Sequence, residues 1–206
     1  IGTDYLPQGN VAPEQFELAF EQEDYSGLPE FLQDDVEAAV LAYYKNKNIR
    51  DVDFEIDKAQ AEFQLRAAEK TNHPFLVELF RMQIDLTNIR TMMRQKIRGI
   101  DERQAFLPGG YLEKSRLVQC LDIGFEALAS QFFATPYHHL IESGAIYLQK
   151  ENSFLKLEAC CDEHLLGYLK TTRYISAGIQ PIAAYLLLKE HEIKMVRLVT
   201  AGVKAQ

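Results

Sequence analysis

The residue types best suited to metal chemistry cluster in two places, Cys160-Cys161-Asp162-Glu163-His164 and the pair His138-His139 upstream of it. Thiolates and imidazoles together suit a zinc-class ion. Consecutive helical side chains point about 100° apart, so Cys160 and His164 share one face while Cys161 looks elsewhere. Neither C-x-x-C nor H-E-x-x-H spacing supports a site here. The expectation is therefore no metal and no cofactor, with buried cysteines beside a surface histidine. The rival reading is a helical hydrolase or metal-dependent enzyme that uses His138, His139, Cys160 or His164.

Asp85, Glu190 and Glu192 are the carboxylates that would serve as an acid and base pair. Glu190 lies four residues before Lys194, the favourable order on a helix, and an ordinary surface ion pair accounts for it. Asp85 is flanked by Ile84 and Leu86 but aligned with Arg81 and Asn88. Polar contacts that fix helix register are the expected role of Arg81, Asp85 and Asn88, and of Glu190, Glu192 and Arg197 near the end of the chain. Arg90, Arg94 and Arg98 form a basic stripe with two readings, a solvated face or a docking surface for an acidic partner. There is no G-x-x-x-x-G-K-[ST] loop and no G-x-G-x-x-G after a strand, so the chain is not expected to hydrolyse ATP.

Helices must position these groups, because apolar residues return at spacings of three and four almost throughout. Pro13 begins a short helix to about Asp24, broken by Tyr25-Ser26-Gly27; a second runs from Leu28 to Lys45. Asp51 or Asp53 is expected to cap the next, which reaches about Thr71. A long helix from Pro74 to about Arg98 follows, with proline at its first position and Gly99 at its end. Along it Leu79, Met82, Leu86, Ile89 and Met93 make one stripe, facing other helices, and Glu78, Arg81, Asp85 and Asn88 a second. Pro108-Gly109-Gly110 reads as a breaker and a hinge between two halves. Beyond it, helices are expected over Glu113 to Asp122, Gly124 to Phe133, Tyr137 to Leu148, Phe154 to Lys170, and from Gln180-Pro181 toward Gly202.

The 206 residues are 47% hydrophobic and 25% charged, which describes a folded soluble chain rather than a disordered one. A net charge of -8 argues against nucleic acid or an anionic lipid surface as partner. The 3 cysteines, two of them adjacent, fit a reducing compartment better than a disulfide framework. The longest apolar run, Ile182 to Leu188, falls far short of the roughly 20 residues that cross a bilayer. A start at Ile1, with no basic region ahead of an apolar signal segment, predicts a piece of a longer polypeptide.

An offset of roughly 104 residues pairs Ile89 with Ile193 and Met92 with Val196, and sets the Pro74 helix against the Pro181 helix. The words in those helices are more specific. Asp85-Leu86-Thr87-Asn88-Ile89-Arg90 precedes Phe106-Leu107-Pro108-Gly109-Gly110, and the chain closes with Pro181, Tyr185, Lys189-Glu190-His191-Glu192-Ile193 and Val196-Arg197. This order resembles the C subunit of bacterial and archaeal V/A-type ATPases, the relative of the eukaryotic V-ATPase d subunit, from about Phe16 onward.

The resemblance implies an all-α, funnel-shaped protein made of three similar helical-bundle units. This chain would hold the last two in tandem, 1–107 and 108–206. It further implies a noncatalytic central-stalk subunit, peripheral to the cytoplasmic face of a membrane, that links central-shaft subunits to the rotor-ring subunits for ATP-coupled proton or sodium transport. A generic helical scaffold with other partners would match the composition but leave the motif order unexplained. With a preceding unit absent, Phe16 and Phe20 in the acidic stretch Glu14 to Asp24 are expected to lie exposed.

Overall fold

The computed structural model describes residues 11–204, with side chains at all of them except 30, 31, 203 and 204. The outermost residues of the two expected tandem units, 1–10 and 205–206, lie outside the described residues. The chain is all-α: among the described residues there is no strand. The helices are α1 (Pro13–Gln22), α2 (Glu30–Asn46), α3 (Ile49–Lys70), α4 (Pro74–Arg98), α5 (Lys114–Asp122), α6 (Phe125–Gln131), α7 (His138–Glu151), α8 (Leu155–Lys170) and α9 (Ile179–Lys204). Short 3-10 turns at Tyr25–Gly27, Arg103–Ala105 and Thr171–Tyr174 punctuate them.

The ends of these helices follow local chemistry. Pro13 and Pro74 occupy first-turn positions, where the missing N–H would have had no partner. Gly99 takes a left-handed conformation, φ 64°, and its N–H closes α4 on the carbonyls of Gln95 and Lys96. The cap of α3 differs from expectation. Asn48 takes that role in place of Asp51 or Asp53: its Oδ1 accepts from the Arg50 N–H at 3.2 Å and its Nδ2 donates to Asp51. Asn48 stands one residue ahead of the helix, where a side-chain oxygen reaches the free N–H groups; Asp51 and Asp53 are already inside it.

The described residues pack as two compact units that divide within α3, 11–66 and 67–204. In the first, Ala19 of α1, Leu28 and Val36 of α2 are buried against Val11, Phe16, Tyr25, Leu32 and Val40. Phe16 is therefore partly covered from within the unit, whereas Phe20 is 48% exposed as expected.

In the second unit α4 is the central element. Met82, Leu86, Ile89, Met92 and Met93 on its core face pack with Leu117 and Cys120 of α5, Leu128 of α6, Leu140, Ile141 and Leu148 of α7, and Leu157 and Cys161 of α8. Gly144 lets α7 approach α8, since a Cβ there would sit 2.7 Å from Leu157 Cδ1. Leu79, Leu169 and Ala184 join α4, α8 and the start of α9 in a smaller cluster. Beyond it α9 is amphipathic only weakly: Ile182, Tyr185, Ile193 and Val196 are all more than half exposed. Ile89 and Met92, the residues that Ile193 and Val196 match at the repeat offset, are fully buried.

Candidate functional site: the polar faces of helix α4

Three residues of α4 hold the connection that follows it. Asp85 is fully buried; its Oδ1 accepts from the Leu112 N–H at 2.9 Å, and its Oδ2 accepts from the Tyr111 N–H at 3.1 Å and the Tyr137 hydroxyl at 2.8 Å. One turn on, Asn88 makes a pair of bonds with a single residue, donating to the Leu107 carbonyl at 2.9 Å and accepting from the Leu107 N–H at 2.7 Å. Gln95 treats Glu102 the same way, at 3.0 and 2.9 Å. These bonds give partners to backbone groups of the connection that would otherwise be lost to water where an irregular segment presses against a helix.

The turn at Pro108-Gly109-Gly110, expected to be a hinge, is therefore fastened to α4 on both sides. Gly109 supplies φ 94°, a conformation open to glycine at little cost. Gly110 supplies space: a Cβ there would collide with Oδ1 of Asp85 and stand 3.2 Å from Cγ2 of Ile84. Burial holds the Asp85 carboxyl above the usual carboxylate range, against the opposing pull of its three donors. The Tyr137 phenol is raised, first by its own burial and then by the Asp85 charge.

Arg90 and Arg94 face α8. Arg90 Nε lies 2.7 Å from Glu158 and its Nη2 3.1 Å from Asp162; Arg94 reaches Glu158 at 2.8 Å. Asp162 also receives Lys194 of α9 at 3.1 Å, with His191 at 4.0 Å. One carboxylate thus ties three helices together. Lys194 is not paired with Glu190 as its spacing suggested; Asp162 on the neighbouring helix is the partner it reaches. Glu190, Arg197 and Arg98 are exposed and have no ion pair among the described residues, while Glu192 pairs with Lys189 at 2.7 Å. Arg81 meets Glu69 at 3.3 Å and lies over the Tyr111 ring, 5.5 Å from its centroid.

Sequence reasoning missed Lys96 and Gln95. The Lys96 ammonium donates to the carbonyls of Cys120 at 3.0 Å, Leu121 at 3.2 Å and Ile123, closing the end of α5. A lysine near the end of one helix carries no sign of whose carbonyls it will reach.

Within the cysteine cluster Cys161 is buried and Cys160 is partly exposed. Burial pushes the Cys161 thiol up to about 12; Cys120 is pushed up to about 11. Cys160 and His164 do share a face, lining a cleft with His139 and Glu163. His164 is not a surface histidine, however: it packs against the Tyr137 ring at 5.2 Å, and burial lowers its pKa.

The family model described as "ATP synthase (C/AC39) subunit" matches residues 1–206, the whole chain. The chain belongs to the ATP synthase (C/AC39) subunit family. Among relatives of this C/AC39 chain, the C subunit of the A-type ATP synthase of Haloferax volcanii is 27% identical over 131 residues, covering 62% of this chain and 38% of its own length. The corresponding A-type protein of Thermococcus kodakarensis is 27% identical over 149 residues, covering 68% and 40%. The C subunit of the V-type sodium ATPase of Enterococcus hirae is 23% identical over 205 residues, covering 96% and 61%. The C/AC39 chain thus spans about two fifths of the length of these archaeal relatives. No solved structure matches it at a significant level. No helix among its described residues is long and apolar enough to cross a membrane.

Proposed function

We propose that this chain works as a noncatalytic central-stalk subunit of a V/A-type rotary ATPase, seated between the central shaft and the membrane rotor ring on the cytoplasmic face. The observation that carries the reading is the family match along all 206 residues. Physical support comes from the second unit, where paired polar bonds fasten the α4 connection and ion pairs join α4, α8 and α9. An element that transmits torque must resist deformation, and a bonded polar network in a packed core does so. The tandem relation of 1–107 to 108–206 belongs to the same proposal, as two helical units of one recurring kind.

Arg94 and Arg98 are the proposed contacts to an acidic surface of the shaft. Arg94 is half exposed, and Arg98 is exposed with no internal ion pair among the described residues. Arg90 is mostly buried against α8 and positions that face from beneath. The test is binding of the tagged chain to the isolated shaft assembly. Reversal of both charges, Arg94→Glu with Arg98→Glu, should weaken that binding at least about tenfold and remove most of its salt dependence. Unchanged binding by the doubly reversed protein would sink the docking assignment.

A further inference from the structure

Helix α7 opens with His138-His139, and Glu142 follows one turn later. One ligand atom from each of these three residues lies within 4.8 Å of the others. Nδ1 of His139 stands 3.6 Å from Oε2 of Glu142. Two ligands about 2.0 to 2.2 Å from a tetrahedral ion are themselves roughly 3.3 to 3.6 Å apart, so this pair already has the required separation. The His139 side chain is 91% exposed, so an ion there is reached directly from solvent.

His138 is oriented by a contact of its own. Its Nδ1 lies 2.8 Å from the carbonyl oxygen of Ala129. An imidazole that donates from Nδ1 to a carbonyl keeps its lone pair on Nε2, and this contact is the one by which metal-binding histidines are held in tautomer and orientation. The rings of Phe133 and His139 meet it edge-on at 5.6 and 5.2 Å and limit its rotation further. The positive end of the α7 dipole opposes a cation at this place, and the Glu142 carboxylate offsets it.

We propose that His138, His139 and Glu142 form a surface site for a zinc-class divalent ion, with water completing its coordination. Two imidazoles and a carboxylate favour zinc, cobalt or nickel over calcium or magnesium, which take oxygen ligands. The site lies at the N-terminus of α7, on a different helix from Arg94 and Arg98, and does not depend on the stalk assignment.

The test is titration of the full chain with zinc in competition with a chromophoric chelator, repeated on His139→Ala, Glu142→Gln and Cys160→Ser. His139 and Glu142 are exposed, so these variants should keep the wild-type circular dichroism. One equivalent of zinc bound by the wild type and by Cys160→Ser, with affinity lowered at least about tenfold in the other two, is the expected result. Binding that survives both His139→Ala and Glu142→Gln would overturn the proposal. So would a thiolate charge-transfer band on substitution with cobalt, which would put the metal on Cys160, and so would no binding by the wild type.

Discussion

Asp85 shows how one buried carboxylate can organise a connection without a counterion. Its neighbours are two backbone N–H groups and a phenol, and Gly110 leaves it room. Asp85→Ala would orphan all three donors, and a loss of at least about 2 kcal/mol is expected in urea unfolding. Gly110→Ala should cost a similar amount, because its Cβ has nowhere to go while the carboxylate is present. The two losses should not add: once Asp85 is alanine the collision is largely gone, so the double variant should be more stable than the sum predicts. Strict additivity would show that Gly110 is needed for its backbone alone.

The same residue gives stability a pH dependence of definite sign. The folded-state pKa of Asp85 is raised above the ordinary 3.8, so within the window between those two values the folded chain binds more protons than the unfolded one. Its contribution is then fully present below pH 3.8 and is lost as pH rises through the folded pKa. Unfolding free energies measured for the wild type and Asp85→Asn across that window should converge or cross as pH rises. A difference that instead grew in favour of the wild type would mean that the three donors outweigh burial.

At the residue scale, spacing shows which side chains share a helix face, and what it leaves out has one cause. That Asp85 and Asn88 turn polar groups toward the same side of α4 follows from a polar stripe at helical spacing beside an apolar one. What they bond to is not legible: a stripe shows which groups face together, not what stands opposite. The same gap hid Asp162 as the partner of Lys194, where the i,i+4 rule offered Glu190 on the same helix, and Lys96 as the cap of α5.

At the scale of elements, capping chemistry set the boundaries. The bounds of α4 match those read from the sequence, since proline at its first turn and glycine past its last leave little choice. The start of α3 did not, because three side chains near it, Asn48, Asp51 and Asp53, are all good caps and only the geometry of the preceding turn selects one. The attachment of α9 is the element-level feature with a measurable consequence. Its first half is held by apolar contacts at Ala184, Leu187 and Leu188, and its second half by Lys194 and His191 at Asp162. Asp162→Asn should therefore cost about 1 to 3 kcal/mol and raise amide exchange in the second half of α9 more than in α8. Arg94→Ala, which breaks a half-exposed pair, should cost less than about 1 kcal/mol. Equal costs would mean that the hub at Asp162 has no special role.

For the molecule as a whole, composition excluded much and identified little. A helical chain with net charge -8 and no phosphate-binding loop describes many proteins. The order of short words across α4, the glycine turn and α9 was what pointed to the C/AC39 family, and the family match along the full chain bears that out. Packing divides the described residues within α3, whereas the proposed repeat would compare helices on either side of Pro108. The two describe different things: a compact unit is defined by what touches, a repeat by what is alike. The strong breaker at Pro108 is itself flanked by residues bonded to α4, Leu107 before it and Tyr111 and Leu112 after it.

The most direct test of the stalk assignment is recovery of the tagged chain from gently solubilised membranes of its source, followed by identification of the proteins that accompany it. Rotor-ring and central-shaft subunits should be recovered in constant proportion to the tagged chain and be lost when Arg94 and Arg98 are reversed. Reproducible recovery of the chain without either group of subunits would contradict that assignment.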